Sequence, residues 1–263
     1  MRKTRFHPER LPQYLLLSIL FAYAHPVLSA DKDADTNQQL LQPYAAEYVL
    51  RKKGFTVGLL QYHLTQQPAG YVFTAEARPT GLATLFSRAS IREKSILEWN
   101  NGTLVPQWYN RSYDGKPDDK IKNMQINYNR QSGLAEILLG NEKLEFKING
   151  GLWDTSSVQV ALMHDLALGR QQLDYRVIDN DKLVEHHYSI LGTEEIESNT
   201  GPHQTLKLEY RNGSRQTLFW CDVNRGYIPV KMQRYKKGKL DSELLLQSLT
   251  VESESGGNLS EST

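Results

Sequence analysis

The sequence predicts a mostly β protein: a long curved antiparallel sheet, or a partly open β-barrel, with one principal α-helix packed on it. Three observations carry this expectation. Short runs alternating apolar and polar residues follow one another from about Pro43 to Val251, the period of half-buried strands. Turn residues, Asn-Gly among them, punctuate the runs. Only one segment, beginning at Asp154, changes to four-residue spacing. A hydrophobic fraction of 39% with 10% aromatics suffices for a real core. Tyrosine, at 14 of 263 residues, suits strands and half-wet surfaces.

Tyr44 to Lys52 leads through Lys53-Gly54 into Phe55 to Gln66, a hairpin. Apolar residues fall first on Phe55, Val57 and Leu59, then on Leu60, Tyr62 and Leu64. That change of phase beside Gly58 predicts a bulge or a twist. Pro68-Ala69-Gly70 turns the chain into Tyr71 to Arg78, and a short helical stretch is expected around Gly81 to Phe86. Ala89 to Trp99 and Thr103 to Tyr113 form a second hairpin across Asn100-Asn101-Gly102. Asp114 to Asp119 reads as an exposed polar loop. Met124, Ile126 and Tyr128 then alternate with Gln125 and Asn127, and Leu134 to Leu139 and Lys143 to Ile148 flank Gly140-Asn141.

In the helix, Asp154 is expected as N-cap, and Val158, Leu162 and Leu166, with Ala161 beside them, make the apolar stripe. Gly169 is placed to end it. Asp165 projects into that stripe, so either it meets a polar partner or the helix packs only its first turns. Further on, Leu206, Leu208 and Tyr210 face one way and Lys207, Glu209 and Arg211 the other. Asn212-Gly213-Ser214 turns into Arg215 to Asp222. Ile228, Val230 and Met232 make one more face, where Pro229 marks an edge or a strand start. Leu240 to Val251 closes the series, and no repeat of fixed period is found.

The N-terminus has the three parts of a secretory leader. Arg2, Lys3, Arg5 and Arg10 form a basic region, and an apolar run extends from Leu15 to about Ala24. Roughly ten residues are too few for a bilayer, which needs about 20. Ala22-Tyr23-Ala24 fits a cleavage site, but Pro26 follows it closely, so cleavage after Ser29 or Ala30 is preferred. The alternative is an uncleaved anchor. No cysteine stands nearby to make a lipobox, and no later segment is apolar enough to cross a membrane. The expected organisation is a signal peptide at 1–30, a polar linker at 31–42, one β-rich domain at 43–251 and a disordered Gly/Ser-rich tail at 252–263. The expected location is the bacterial periplasm.

Taking the leader's net +3 from a chain of net +1 leaves the remainder near −2, which argues against nucleic acid as a partner. The single cysteine, Cys221, allows no intramolecular disulfide. It stands between Trp220 and Asp222, where an inert packed thiol is expected. No G-x-S-x-G, P-loop, G-x-G-x-x-G or H-E-x-x-H sequence is present, and no catalytic, cofactor or metal residue is assigned. His186 and His187 are adjacent, so in a strand their rings point to opposite faces and cannot easily share an ion. His63, His164 and His203 have no companions at ligand spacing. Glu93, Asp154 and Asp165 are carboxylates in apolar or strand surroundings, suited to capping or ion pairing more than to acid–base work. The Asn-x-Ser/Thr triplets at Asn101, Asn110, Asn212 and Asn258 read as turn chemistry. Lys231, Arg234, Lys236, Lys237 and Lys239 are read as the solvated end of a hairpin, with anionic lipid head groups as the alternative partner.

The order of these features resembles the DUF3108 family of exported bacterial proteins, from about Pro43 to Val251. The resemblance lies in Tyr48 before Gly54-Phe55-Thr56-Val57-Gly58, in Glu93, and in Gly102-Thr103-Leu104-Val105-Pro106. It continues in Asp154-Thr155-Ser156-Ser157, Phe219-Trp220 and Ile228-Pro229-Val230, while Cys221-Asp222 replaces a more usual apolar-small continuation. It implies a β-rich periplasmic protein, and it transfers no activity and no catalytic residue.

A curved sheet has a hollow side, and concave apolar surfaces are the usual ligand sites. The leading expectation is therefore a non-catalytic binding or envelope-maintenance role, with a lipid or other amphiphilic envelope component as ligand. It requires an apolar cavity of several hundred cubic ångströms with few buried charges. A hydrolase acting on envelope glycan or lipid is the first alternative, and it requires a cleft where at least two of Glu93, Asp154, Asp165 and the histidines converge. A structural partner docking through an exposed strand edge is the second.

Overall fold

The structure, a computed structural model, describes residues 41–85, 89–114 and 122–252. The expected leader, the linker up to residue 40, Phe86, most of the 114–119 loop and the tail beyond Glu252 lie outside the described residues. The strands are β1 (Tyr44–Lys52), β2 (Phe55–Gln67), β3 (Gly70–Pro79), β4 (Ser90–Asn100), β5 (Thr103–Asp114), β6 (Met124–Asn129), β7 (Leu134–Leu139) and β8 (Glu142–Lys147). After them come β9 (Leu152–Asp154), the helix α1 (Ser157–Ala167), β10 (Leu173–Asp179), β11 (Lys182–Ser198) and β12 (Gly201–Asn212). The series ends with β13 (Arg215–Asp222), β14 (Ile228–Lys236) and β15 (Lys239–Val251). The short helical stretch is a single 3₁₀ element, Gly81–Leu85.

All the strands belong to one sheet, ordered β8-β7-β6-β5-β4-β3-β2-β1-β15-β14-β13-β12-β11-β10-β9. Consecutive hairpins build both wings, and β1 joins the first wing to the last strand, β15. The expected sheet is antiparallel; the observed one is mixed, because β9 and β10 run parallel. Parallel neighbours cannot be joined by a hairpin and need a crossover. That crossover is α1, which explains why the chain's one α-helix among the described residues lies across the face of the sheet.

The sheet rolls around α1 without closing into a barrel. Leu152 of β9 and Ile178 of β10 pack with Tyr109, Ile126 and Ile137 from the opposite wing. Arg111 of that wing donates from Nη2 to Asn180 Oδ1 at 2.6 Å. A second cluster joins Val158, Leu162 and Leu166 of α1 to Leu173, Val177, Leu208 and Cys221. A third joins Val160 and Met163 of α1 to Tyr44, Tyr62, Phe73, Val230 and Leu246 in the middle of the sheet. The helix is thus buried well beyond the stripe read from four-residue spacing, because a rolled sheet walls it on more than one side.

Two local readings can be checked at atomic detail. Leu50 pairs with Gly58 but Arg51 pairs with Thr56, so Val57 is the extra residue of a bulge beside Gly58. A Cβ on Gly58 would stand 2.9 Å from the Arg78 carbonyl oxygen, and the adjacent strand leaves no room for one. Gly169 ends α1 at φ +72°. Its N–H donates to Leu166 O and that of Arg170 to Asp165 O, both at 2.9 Å, the paired bonds of a Schellman ending.

Another is corrected, and at Pro229 the strand start, not the edge, is the alternative that holds. The N-cap is Ser156, not Asp154; Asp154 closes β9 and receives the helix-start N–H groups from there. Pro229 is not on an edge, since β14 lies between β13 and β15. It is the second residue of its strand, opposite Cys221 beside a register shift, and pairing with β15 starts only at Lys231. On the β15 side the missing N–H of Pro229 therefore breaks no bond in the ladder.

Candidate functional site

Three polar or hollow places deserve comparison: a cavity under α1, a carboxylate cluster at the helix start, and a histidine network at one end of the sheet. The cavity is built by the inner face of β11–β14. Cross-strand register sets its side chains in rows. Ile190, Leu208, Phe219 and Met232 form one row through successive pairings. The next row toward the hairpin ends is Tyr188, Tyr210, Thr217 and Arg234. Beyond it stand His186 on β11 and the paired Asn212 and Arg215. Val158, Leu162 and Met163 of α1 roof the space, which encloses about 310 Å³.

Apart from three residues at its rim, the walls are formed by side chains that are neutral at pH 7. Burial pushes the Tyr62 and Tyr188 hydroxyls up, and Tyr210 with them. Burial, opposed by the Asp179 charge and helped by the adjacent His187, holds His186 below the ordinary imidazole range, so its ring is neutral at pH 7. That ring lies 4.4 Å from the Tyr210 ring, and Tyr188 makes an edge contact with Phe219 at 5.7 Å. The charged lining residues are Asp179, Arg215 and Arg234.

Cys221 lines this cavity at 2% exposure, and burial pushes its thiol up to about 12. The thiolate, not the thiol, is the nucleophile. At pH 8 a maleimide should label the folded protein at well under about 1% of the rate for the urea-unfolded chain. Labelling of the native state at a comparable rate would show that Cys221 is neither sealed nor inert.

The carboxylate cluster ties β4–β6 to β9 and α1. Asp154 is fully buried. Its Oδ1 accepts from Ser95 Oγ at 2.7 Å and from the N–H groups of Ser156 and Ser157 at 3.0 and 2.8 Å. Its Oδ2 accepts from Ser157 Oγ at 2.7 Å and Tyr128 OH at 3.3 Å. Glu93 accepts from Tyr109 OH at 3.0 Å and from Ser156 Oγ. Glu93 and Asp154 therefore converge on Ser156, but Asp154 is buried at 0% exposure rather than open to the cleft that the hydrolase alternative requires. Every oxygen of the pair is occupied by a donor of the fold, which makes the cluster a clasp. Burial pushes both carboxyls up, and their hydrogen bonds pull back only in part.

The histidine network was not legible from spacing. His203, 2% exposed, sets Nδ1 2.7 Å from Asp222 Oδ2, and its Nε2 lies 2.9 Å from both Ser198 Oγ and Thr200 Oγ1. Arg225 Nη1 donates to the same Asp222 oxygen at 2.6 Å. Burial pushes the Asp222 carboxyl up, but the bonds from His203, the Asn224 backbone and Arg225 together hold it below the ordinary range. The network joins the β11–β12 turn to the β13–β14 turn.

The other sequence candidates stand apart. Asp165 finds its polar partners in Arg170 at 2.8 Å and Tyr175 OH at 2.9 Å. His164 packs edge-on against Trp99. His187 pairs with Asp174 at 2.7 Å, away from His186, and His63 stands in a polar groove with Glu76 and Arg92. Among the described residues no group of three or more His, Cys, Asp or Glu is placed to hold a metal ion. Asn110 lies inside β5 and Asn212 at the end of β12, so turn chemistry applies to Asn101 but not to Asn110; Asn258 is outside the described residues. Of the basic run, Lys231 lies over the Trp220 ring at 4.6 Å, and Arg234 lines the cavity.

An open rolled sheet, a crossover helix in its hollow and an aromatic chamber between them define the class: a helix-filled β-roll. The chain belongs to the DUF3108 family, described as proteins of unknown function, whose sequence profile matches residues 43–244. Elements that carry the resemblance meet in space, for Tyr48 OH donates to Pro229 O at 2.9 Å and Glu93 meets Ser156. Two solved structures are similar over 80% of this chain and 96% of their own. One, from Parabacteroides distasonis ATCC 8503, is provisionally described as a lipoprotein, with 12% identity and a TM-score of 0.34. The other, from Bacteroides fragilis NCTC 9343, is provisionally described as an exported protein with a YmcC-like fold, with 11% identity and a TM-score of 0.36. No curated protein matches the chain. Among the described residues no helix is long and apolar enough to cross a membrane.

Proposed function

We propose that the chain is exported by the leader at 1–30 to the periplasm, and that its 43–251 domain holds the apolar part of an amphiphilic envelope component without catalysis. The observation that carries this reading is the chamber of about 310 Å³ under α1, lined mainly by aromatic and aliphatic side chains, with Asp179, Arg215 and Arg234 as its charged residues. Its volume lies at the lower end of the range for ligand pockets, roughly 300–1,000 Å³, which suits one chain or ring system. Apolar walls repel water, so an apolar occupant gains on entry whatever its fine structure.

The full-length protein, purified from its own envelope fraction, should show a bound mass by native mass spectrometry that organic extraction removes. Val158→Trp, which fills the chamber from its roof, should carry little or none. A bare wild-type mass, together with no uptake of an apolar dye, would overturn the reading.

Hydrolysis of an envelope ester or glycan is the second reading, favoured by the Ser198–His203–Asp222 series. Carboxylate, imidazole and hydroxyl in that order are how a serine is activated. Against it, Ser198 Oγ accepts the Thr200 N–H at 3.0 Å, and none of these residues lines the chamber. Fluorophosphonate labelling that vanishes in Ser198→Ala would favour hydrolysis; an unlabelled, folded wild type removes it.

A further inference from the structure

We propose that the mouth of the chamber recognises an anionic head group, carboxylate or phosphate, of a single-chain amphiphile through Arg215 and Arg234. This rests on the chamber reading above and adds the charge and the orientation of its occupant. The rows of the inner face are graded. Ile190, Leu208, Phe219 and Met232 are wholly apolar, with Phe219 and Met232 lining the chamber; the next row is aromatic with Thr217 and Arg234, and Arg215 stands one step further out. A ligand matched to that gradient is apolar at one end and negative at the other.

The two guanidinium groups are distinguished by what they lack. Among the described residues the other arginines all have a carboxylate, carbonyl or amide partner: Arg111 with Asn180, Arg130 with Pro106 O, and Arg51, Arg78, Arg92, Arg170, Arg176, Arg211 and Arg225 with acids. Arg215 and Arg234 form neither an ion pair nor a hydrogen bond there. They lie on adjacent strands, with Thr217 directly opposite Arg234 and Arg215 two residues from Thr217. That diagonal is within reach of long side chains, about 7–8 Å. Two like charges so placed repel, and an anion held between them relieves the repulsion. Guanidinium presents paired N–H donors that match carboxylate and phosphate oxygens.

Asp179, the third charged lining residue, does not neutralise the pair. Its Oδ1 accepts from Asn180 Nδ2 at 3.1 Å, and it acts on His186 and Tyr210. Its charge repels an anion from the β10 side and leaves the β13–β14 side as the favourable seat.

The test compares dodecanoate, dodecyl phosphate, dodecanol, dodecyltrimethylammonium and inorganic phosphate by calorimetry, on full-length wild type and on the Arg215→Gln/Arg234→Gln double variant. Both arginines are exposed, so the variant is expected to fold, with circular dichroism as the check. Dodecanoate and dodecyl phosphate should bind wild type about tenfold or more tighter than dodecanol, with the trimethylammonium compound weakest. In the variant that advantage should fall below about threefold while dodecanol is unchanged. Equal affinity for dodecanol and dodecanoate, or a preference that survives in the variant, overturns the head-group assignment and leaves the chamber reading standing. Inorganic phosphate binding as tightly as dodecyl phosphate also overturns it, marking a site for the free anion. Failure of all four chain compounds to bind brings down the chamber reading itself.

Discussion

Asp154→Ala should lower the unfolding free energy by about 3–5 kcal/mol, read from urea titrations with an unchanged slope. The carboxylate is fully buried and accepts five hydrogen bonds, from Ser95, Tyr128, both Ser157 donors and the Ser156 N–H. Hydroxyls can turn to other acceptors, but the two backbone N–H groups cannot, and each buried orphan costs about 1–3 kcal/mol. Asp154→Asn keeps one acceptor oxygen and should cost less, about 1–2 kcal/mol. If Asp154→Ala left stability within about 0.5 kcal/mol of wild type, the clasp would not hold the two wings together.

The same cluster sets a pH dependence. Burial raises the Asp154 and Glu93 carboxyls above their ordinary range, so over that window the folded chain binds more protons than the unfolded one. Stability contributed by these groups therefore falls as pH rises from about 4 through their raised values. Glu93→Gln, which keeps partners for Tyr109 and Ser156, should flatten that fall and be neutral or slightly stabilising at pH 7. A variant whose unfolding midpoint tracks wild type across the window would contradict the assignment.

The second large effect is expected at His203. His203→Ala removes a buried ring whose Nδ1 stands 2.7 Å from an Asp222 carboxylate of 0% exposure, leaving Arg225 and the Asn224 N–H as its partners. Breaking one arm of a buried charged network typically costs about 3–5 kcal/mol, and a loss of about 3 kcal/mol is expected here because Arg225 remains. Asp222 is held below the ordinary range, so its contribution is present above about pH 4 and lost as pH falls through the folded value. The variant should lose less stability on acidification than wild type does. A stable His203→Ala protein that had lost fluorophosphonate labelling would point instead to the hydrolytic reading.

Strands that pack one face on the core left a plain trace in the chain. Met124, Ile126 and Tyr128 are buried and Asn127 is exposed, as alternation requires. The bulge at Val57 was legible because it shifts the apolar phase, and the end of α1 because Gly169 adopts a backbone that other residues resist. Two strands left no such trace, and a third only a broken one. β9 is only three residues long, and its pairing with β10 is made by the fold. In β10 both Val177 and Ile178 are buried, since they face different clusters, and period two disappears. In β11 alternation holds from Val184 to Ile190 but is interrupted where the register shifts between Ile190 and Gly192, leaving Leu191 exposed.

By itself the chain determined which segments are strands with a wet and a dry face, where most turns fall, and that one amphipathic segment is a helix. Each of these follows from neighbours a few residues apart. Only the rolled sheet decided that Glu93 meets Ser156, that His203 meets Asp222, and that Arg215 and Arg234 share the mouth of a chamber. Those meetings depend on cross-strand register and on the crossover that lays α1 in the hollow. Such pairings join residues tens or hundreds of positions apart, and no local period records them.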